Sequence, residues 1–126
     1  MSEFRDRIDA LAERARADHR AFDPPTDPPD EQRAVHFLRE GVGEVVSVYV
    51  EARTGELVPL DREEMAGLEQ ALNDWLELYA RCYGREIDAE FTVREVAEVV
   101  VMDTHDLPDA AQLLTGVPPR QQSDGR

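Results

Sequence analysis

The sequence contains no lysine. All 14 of its basic residues are arginines, against 28 aspartates and glutamates, and the formal net charge is -14. Its one cysteine, Cys82, excludes an internal disulfide framework and a zinc site built from cysteines. The longest apolar run, Val99 to Met102, is far shorter than the roughly 18 residues that a membrane span needs. The charged first residues lack the apolar stretch of a signal peptide. We therefore expect one cytoplasmic domain with no membrane segment.

The excess of acidic residues does not indicate disorder. Hydrophobic residues make up 41% of the chain and recur with a helical period, unlike those of a solvating polyacid. In molar salt the Debye length falls to about 3 Å, so repulsion between surface carboxylates is largely screened. An acidic, lysine-free chain that folds fits such a cytoplasm. The composition therefore favours a salt-accumulating halophile, an archaeon, as the source.

Residues 1–22 are predicted to form an N-terminal helix with Ser2 as its N-cap. Opposite charges four residues apart, such as Arg14 and Asp18, are expected to pair along its exposed face. Four of the next eight residues, 23–30, are prolines, which predicts a stiff, extended spacer. The apolar residues that define the buried face of the helix are Phe4, Ile8, Leu11, Ala15 and Phe22.

Residues 31–54 are compatible with two structures. Their valine-rich centre has the composition of a strand, which leaves an α+β alternative with a hairpin at residues 44–60. Periodicity favours one long helix closed by Gly55, because polar and apolar residues separate onto opposite sides at 100° per residue. Gly41 and Gly43 predict a break or kink within this helix.

Three further helices follow. Asp61 opens a helix that runs to about residue 83, and Thr92 with Glu95 forms a capping box for the next one, residues 93–105. A short helix is expected from Pro108 to Thr115. We therefore predict an all-α fold, a bundle of four main helices plus a short C-terminal helix. Its core is residues 31–116, and a disordered tail covers residues 117–126.

The second and third helices carry apolar residues at alternating three- and four-residue spacing, as coiled coils do. The apolar arc of the second helix is wider than a surface helix needs, so we expect it to be covered on two sides. These seams predict self-association as a homodimer, or binding to another protein. The seam residues are Val35, Leu38, Val42, Val45, Tyr49, Leu68, Leu72, Trp75 and Tyr79.

No sequence motif of catalysis occurs: there is no P-loop, dinucleotide loop, nucleophile elbow or zinc-protease helix. We predict a non-enzymatic accessory protein without a cofactor, with Cys82 as a buried structural thiol. One alternative is a bundle that binds a small molecule or a metal. Its possible ligands are His36, Glu40, Glu44 and Glu51, which share one face of the second helix.

A second alternative is a DNA-binding regulator, because residues 92–115 resemble a helix-turn-helix unit. Val101 stands where the turn glycine is expected, and Pro108 falls where the recognition helix would begin. That helix contains no cationic residue for phosphate contacts. The sequence therefore disfavours nucleic acid as a partner.

Three segments, Val48–Gly55, Asn73–Leu76 and Tyr79–Gly84, resemble those of small acidic uncharacterised proteins of halophilic archaea. The resemblance extends over the whole chain. It implies an origin, and it implies no activity, cofactor or site residue.

Overall fold

The computed structural model describes residues 4–55, 59–104 and 106–118. Within these ranges every regular element is helical and no strand occurs. The all-α prediction is therefore confirmed. The elements in chain order are α1 (Arg5–Ala21), α2 (Glu31–Phe37), π1 (Leu38–Val42), α3 (Gly43–Gly55), α4 (Arg62–Cys82), α5 (Val93–Glu98), π2 (Val99–Thr104) and α6 (Leu107–Thr115).

The hairpin alternative at residues 44–60 is wrong, because α3 occupies residues 43–55. The valine-rich stretch is buried as a helix because α3 packs against α1, α4 and α5. Val45 and Val48 are fully buried in this arrangement. The predicted helical course of residues 31–55 is therefore confirmed, as the succession of α2, π1 and α3.

The irregularity predicted at Gly41 and Gly43 takes the form of π1, which joins α2 to α3 without a break. A Cβ atom on Gly41 would lie 2.6 Å from Cγ and 2.8 Å from Cε2 of Trp75. Only glycine therefore permits the indole of Trp75 to pack directly on the backbone of π1.

Helix α1 packs mainly against α4, and the two helices share one hydrophobic core with α3 and α5. Phe4, Ile8, Leu11 and Ala15 are buried as predicted, and Phe22 is partly buried. The predicted N-cap, Ser2, lies outside the described residues. The N-terminal helix is thus part of the bundle.

Arg5 and Arg7 of α1 reach other helices, which corrects the prediction of pairs four residues apart; within α1, Arg16 pairs with Glu13 at 3.9 Å, three residues before it. Arg5 donates to Asp61 at 3.3 Å and to Glu63 at 3.2 Å, and Arg7 donates to Glu51 at 3.0 Å. Periodicity within one helix could not reveal these pairs, because they depend on how α1 packs on α3 and α4.

The predicted start signals are confirmed. Asp61 Oδ1 accepts a hydrogen bond from the Glu64 amide at 2.8 Å, and the Glu64 side chain accepts one from the Asp61 amide at 2.9 Å. Thr92 and Glu95 form the same reciprocal box at the start of α5. These bonds satisfy amides that a helix N-terminus leaves without a partner.

The end of the spacer and Val117, which follows α6, both contact the end of α4. The Asp30 amide donates to the Cys82 carbonyl at 2.8 Å. The Tyr79 hydroxyl donates to the Val117 carbonyl at 2.6 Å, and Val117 is buried. The first residue of the predicted tail thus belongs to the bundle, and residues 119–126 lie outside the described residues. None of the helices in the described ranges is both long and apolar enough to cross a membrane.

Candidate interaction surface

An open groove separates the C-terminal half of α3 from α5 and π2. Its volume is about 240 Å³. A second depression of about 540 Å³ shares Tyr49, Arg53 and Arg94 with it and continues towards Leu60 and Met65. We call the first cavity the α3–α5 groove. It is lined by Tyr49, Val50 and Arg53 from α3, by Arg94, Ala97 and Glu98 from α5, and by Val101 from π2.

The local sequence explains why α5 presents these side chains together. Arg94, Ala97 and Glu98 recur at three- and four-residue spacing within α5, so they fall towards one side of that helix, and Val101 of π2 lines the same groove. The capping box at Thr92 fixes where that helix begins. Val93 and Val96, on the opposite side, are fully buried in the core, which fixes how α5 is rotated.

Two arginines border this groove in a chain whose net charge is -14. Arg53 Nη1 donates to the Tyr49 hydroxyl at 3.2 Å, and its guanidinium lies 5.7 Å from the centre of the same ring. Arg94 Nε lies 3.3 Å from Glu98 Oε2, and both side chains are largely exposed. Such an exposed ion pair contributes at most about 1 kcal/mol, so Arg94 and Glu98 can exchange partners at little cost.

Among the side chains that the structure describes, two large hydrophobic ones are exposed. Val101 is 45% exposed and Leu113 is 55% exposed. Val101 stands on the wall of the α3–α5 groove, where Val50 and Ala97 extend the apolar surface. Leu113 lies on α6, outside that groove.

The predicted seam residues fill the interior of one chain. Of the nine, all but Val35, which is half-buried, are buried. Trp75 is 1% exposed, and its indole N–H donates to Asp18 Oδ2 at 3.0 Å. A second chain cannot reach these side chains unless the helices separate. Tyr49 is the seam residue that also borders the α3–α5 groove.

The predicted ligand residues are not gathered into a site. His36, Glu40 and Glu44 are exposed, and no three of the four predicted residues offer ligand atoms within 4.8 Å of one another. A π-helical turn holds more residues than an α-helical one, so the 100° spacing that aligned these side chains does not hold across π1. Glu51 is bound by Arg7, and this hydrogen bond lowers the pKa of its carboxyl.

Residues 92–115 form α5, π2 and α6, with a π-helical segment where a helix-turn-helix unit has its turn. Arg94 is the one basic residue in this part of the sequence before His105, which lies outside the described residues. The exposed residues of α6 include Asp109 and Leu113. This segment therefore presents few of the cationic groups that phosphate contacts use.

Cys82 is fully buried at the end of α4. Loss of hydration raises the pKa of its thiol to about 11, although nearby Arg33 opposes the shift. A thiol that stays protonated at neutral pH is a poor nucleophile and a poor metal ligand.

The fold and the groove define a small helical-bundle domain with an open, arginine-bordered surface groove. The chain belongs to the family described as Domain of unknown function (DUF8055), whose family model matches residues 2–119. This match agrees with the predicted resemblance to an uncharacterised family. No curated protein and no solved structure matches the chain.

Proposed function

We propose that this chain is a non-enzymatic interaction protein that self-associates as a homodimer through the α3–α5 groove. The observation that carries the proposal is an apolar wall beside two opposite charges, Arg94 and Glu98, on the exposed side of α5. Single exposed apolar residues are ordinary, but Val101 borders a cavity together with Val50. An apolar centre with a polar rim is typical of protein interfaces.

A twofold contact suits this surface because the surface is its own complement. In such a contact, residue i of one copy meets residue j of the other, and j meets i. When two α5 helices lie antiparallel, Arg94 of each copy faces Glu98 of the second copy. Two intermolecular ion pairs then replace two exposed pairs within the helices. The same contact covers the exposed Val101.

This proposal keeps the predicted self-association but assigns it to a different surface. The sequence predicts it on the apolar seams of the helices expected at residues 31–54 and 61–83. Leu72, at the centre of the seams, is fully buried within one chain. Arg94 and Glu98 remain exposed. The groove therefore supplies the free surface that the seams lack.

We also propose that the protein works in the salt-rich cytoplasm of a halophilic archaeon, which the absence of lysine and the net charge of -14 support. Two such chains repel each other until salt screens their charges. We expect both the melting temperature and the dimer fraction to fall when KCl is diluted from about 3 M to about 0.1 M. A melting temperature that does not change over this range would contradict the proposed environment.

The test is the absolute mass in solution, measured by light scattering in concentrated KCl. The monomer mass is 14.3 kDa, and we expect the wild type at twice this value. Val101→Glu places a charge in the contact and should yield the monomer. Leu113→Glu is the matched control, because Leu113 is equally apolar and exposed but lies outside the groove.

Two results would contradict the proposal. One is a wild-type mass of 14.3 kDa at every protein concentration in concentrated KCl. The other is a dimer that Val101→Glu leaves intact, since that dimer would use another surface. Circular dichroism of each variant separates loss of the dimer from loss of the fold.

A further inference from the structure

A second group of side chains meets between α1 and α4, away from the α3–α5 groove. His19 lies in the last turn of α1, and Asp74 and Glu77 lie one turn apart on α4. One ligand atom from each residue lies within 4.8 Å of the others. It is the one such group of three or more histidine, cysteine or acidic side chains in the described residues.

The protein holds both carboxylates of this group in place. His19 Nε2 donates to Glu77 Oε1 at 2.9 Å, while the other Glu77 oxygen accepts from the Ala89 amide at 3.0 Å. Asp74 Oδ2 accepts from the Gln70 side chain at 2.6 Å. Each carboxylate thus has an outer contact that orients it, as the carboxylates of metal sites do.

The charges of the group do not balance. Two carboxylates face one imidazole, and in the described residues neither Asp74 nor Glu77 forms an ion pair with an arginine. All three side chains are half-buried, so water compensates their charge only in part. A divalent cation bound here would supply the missing positive charge.

We propose that His19, Asp74 and Glu77 bind a divalent transition-metal ion of the Zn²⁺ class. Imidazole nitrogen and carboxylate oxygen are ligands that Zn²⁺ takes, at about 2.0–2.2 Å. For His19 Nε2 to bind the metal it must give up its proton: a neutral imidazole then keeps its one proton on Nδ1, and an imidazolium releases its second proton to solvent. Water fills the remaining positions. The ion would clamp α1 to α4, because one ligand comes from α1 and two come from α4.

Calorimetric titration of the untagged, chelator-treated protein with ZnCl₂ tests this site. We expect one Zn²⁺ per chain and a zinc-dependent rise in melting temperature, because the ion binds the folded chain. His19→Gln keeps a hydrogen-bond donor for Glu77 but removes the nitrogen ligand. It should weaken zinc binding by at least about tenfold and abolish the rise in melting temperature.

The control is His36→Gln, which removes an exposed histidine of α2. It should leave both zinc affinity and the rise in melting temperature unchanged. Three results would overturn the site: no zinc binding to the wild type, equal zinc affinity in wild type and His19→Gln, or loss of binding in His36→Gln. Glu77→Gln should also weaken zinc binding, because it removes the charge of a second ligand while it keeps the side-chain volume.

Discussion

The two π-helical segments, π1 and π2, share a local geometry and differ in their surroundings. Leu38, Gly41 and Val42 of π1 are buried, and the backbone of π1 lies directly against Trp75. In π2, Val101 is 45% exposed and borders the α3–α5 groove. A π-helical turn inserts an extra residue and shifts which side chains face the core. In π1 that shift serves internal packing, whereas in π2 it leaves an apolar side chain at the surface.

This difference indicates that an irregular helix is not by itself a functional feature. The contact with Trp75 explains why position 41 of π1 is glycine, because a side chain there would collide with the indole. In π2, by contrast, Val101 is exposed and lines the α3–α5 groove. A function that requires π2 and its groove can therefore be separated by mutation from the stability that π1 supports.

The largest difference in unfolding free energy between π1 and π2 is expected when a valine of each segment is replaced, in separate variants, by aspartate. Val42→Asp buries a charge in a position that is 2% exposed, so it should cost more than about 4 kcal/mol and unfold the chain. Val101→Asp should change the unfolding free energy of the monomer by no more than about 0.5 kcal/mol. Urea unfolding followed by circular dichroism measures both. Equal losses would show that the two segments are equally buried.

The next effect concerns the close contact at π1. Gly41→Ala forces the new methyl group against Trp75 and should cost about 2 kcal/mol, despite the better helix propensity of alanine. Gly67→Ala is the comparison within α4, where the new Cβ would lie 3.1 Å from Cγ2 of the buried Ile8, a tight contact that a small shift relieves. It should cost less than Gly41→Ala in the same urea titration. A stable Gly41→Ala protein would contradict this explanation of π1.

A smaller effect is expected at the bond between Trp75 and Asp18. Asp18→Ala leaves the buried indole N–H without its acceptor and should cost about 1–2 kcal/mol, whereas Asp18→Asn retains an acceptor oxygen. In a Trp75→Phe background, Asp18→Ala should cost much less. A double-mutant cycle of unfolding free energies gives the coupling directly. An additive cycle would mean that the bond does not contribute.

The smallest change is predicted in alkali. Burial raises the pKa of Cys82 from 9.0 to about 11, so the thiolate forms more readily in the unfolded chain. The stabilisation from the neutral thiol is therefore complete below pH 9 and declines as the pH rises towards 11. The wild type should lose more stability in this range than Cys82→Ala, which has no thiol. Equal losses would assign the whole effect to other groups, such as Tyr79.

Local patterns predicted most of the fold. The boxes at Asp61 and Thr92, and the spacing of Phe4, Ile8 and Leu11, depend on residues within a few positions of each other, so the sequence displays them directly. Gly41 indicated an irregular helix, but the reason lies in Trp75, a residue of another helix. Tertiary contacts therefore decided what form the irregularity takes.

The candidate sites depend on contacts that periodicity does not contain. Arg53 and Arg94 meet at one groove because α3 packs on α5. His19 joins Asp74 and Glu77 from a helix more than 50 positions earlier. Only the i, i+3 spacing of the two carboxylates was visible in the sequence. The residues of the predicted apolar seams are mostly buried within one chain, and this burial follows from how the helices pack.

The most direct test of the central claim is a charge-swap series, measured as absolute mass by light scattering in concentrated KCl. Arg94→Glu and Glu98→Arg each create like-charge contacts across the proposed twofold, so each should reduce the mass to 14.3 kDa. The double variant restores opposite charges and should return to twice that mass. A double variant that stays monomeric, or single variants that stay dimeric, would contradict self-association through α5.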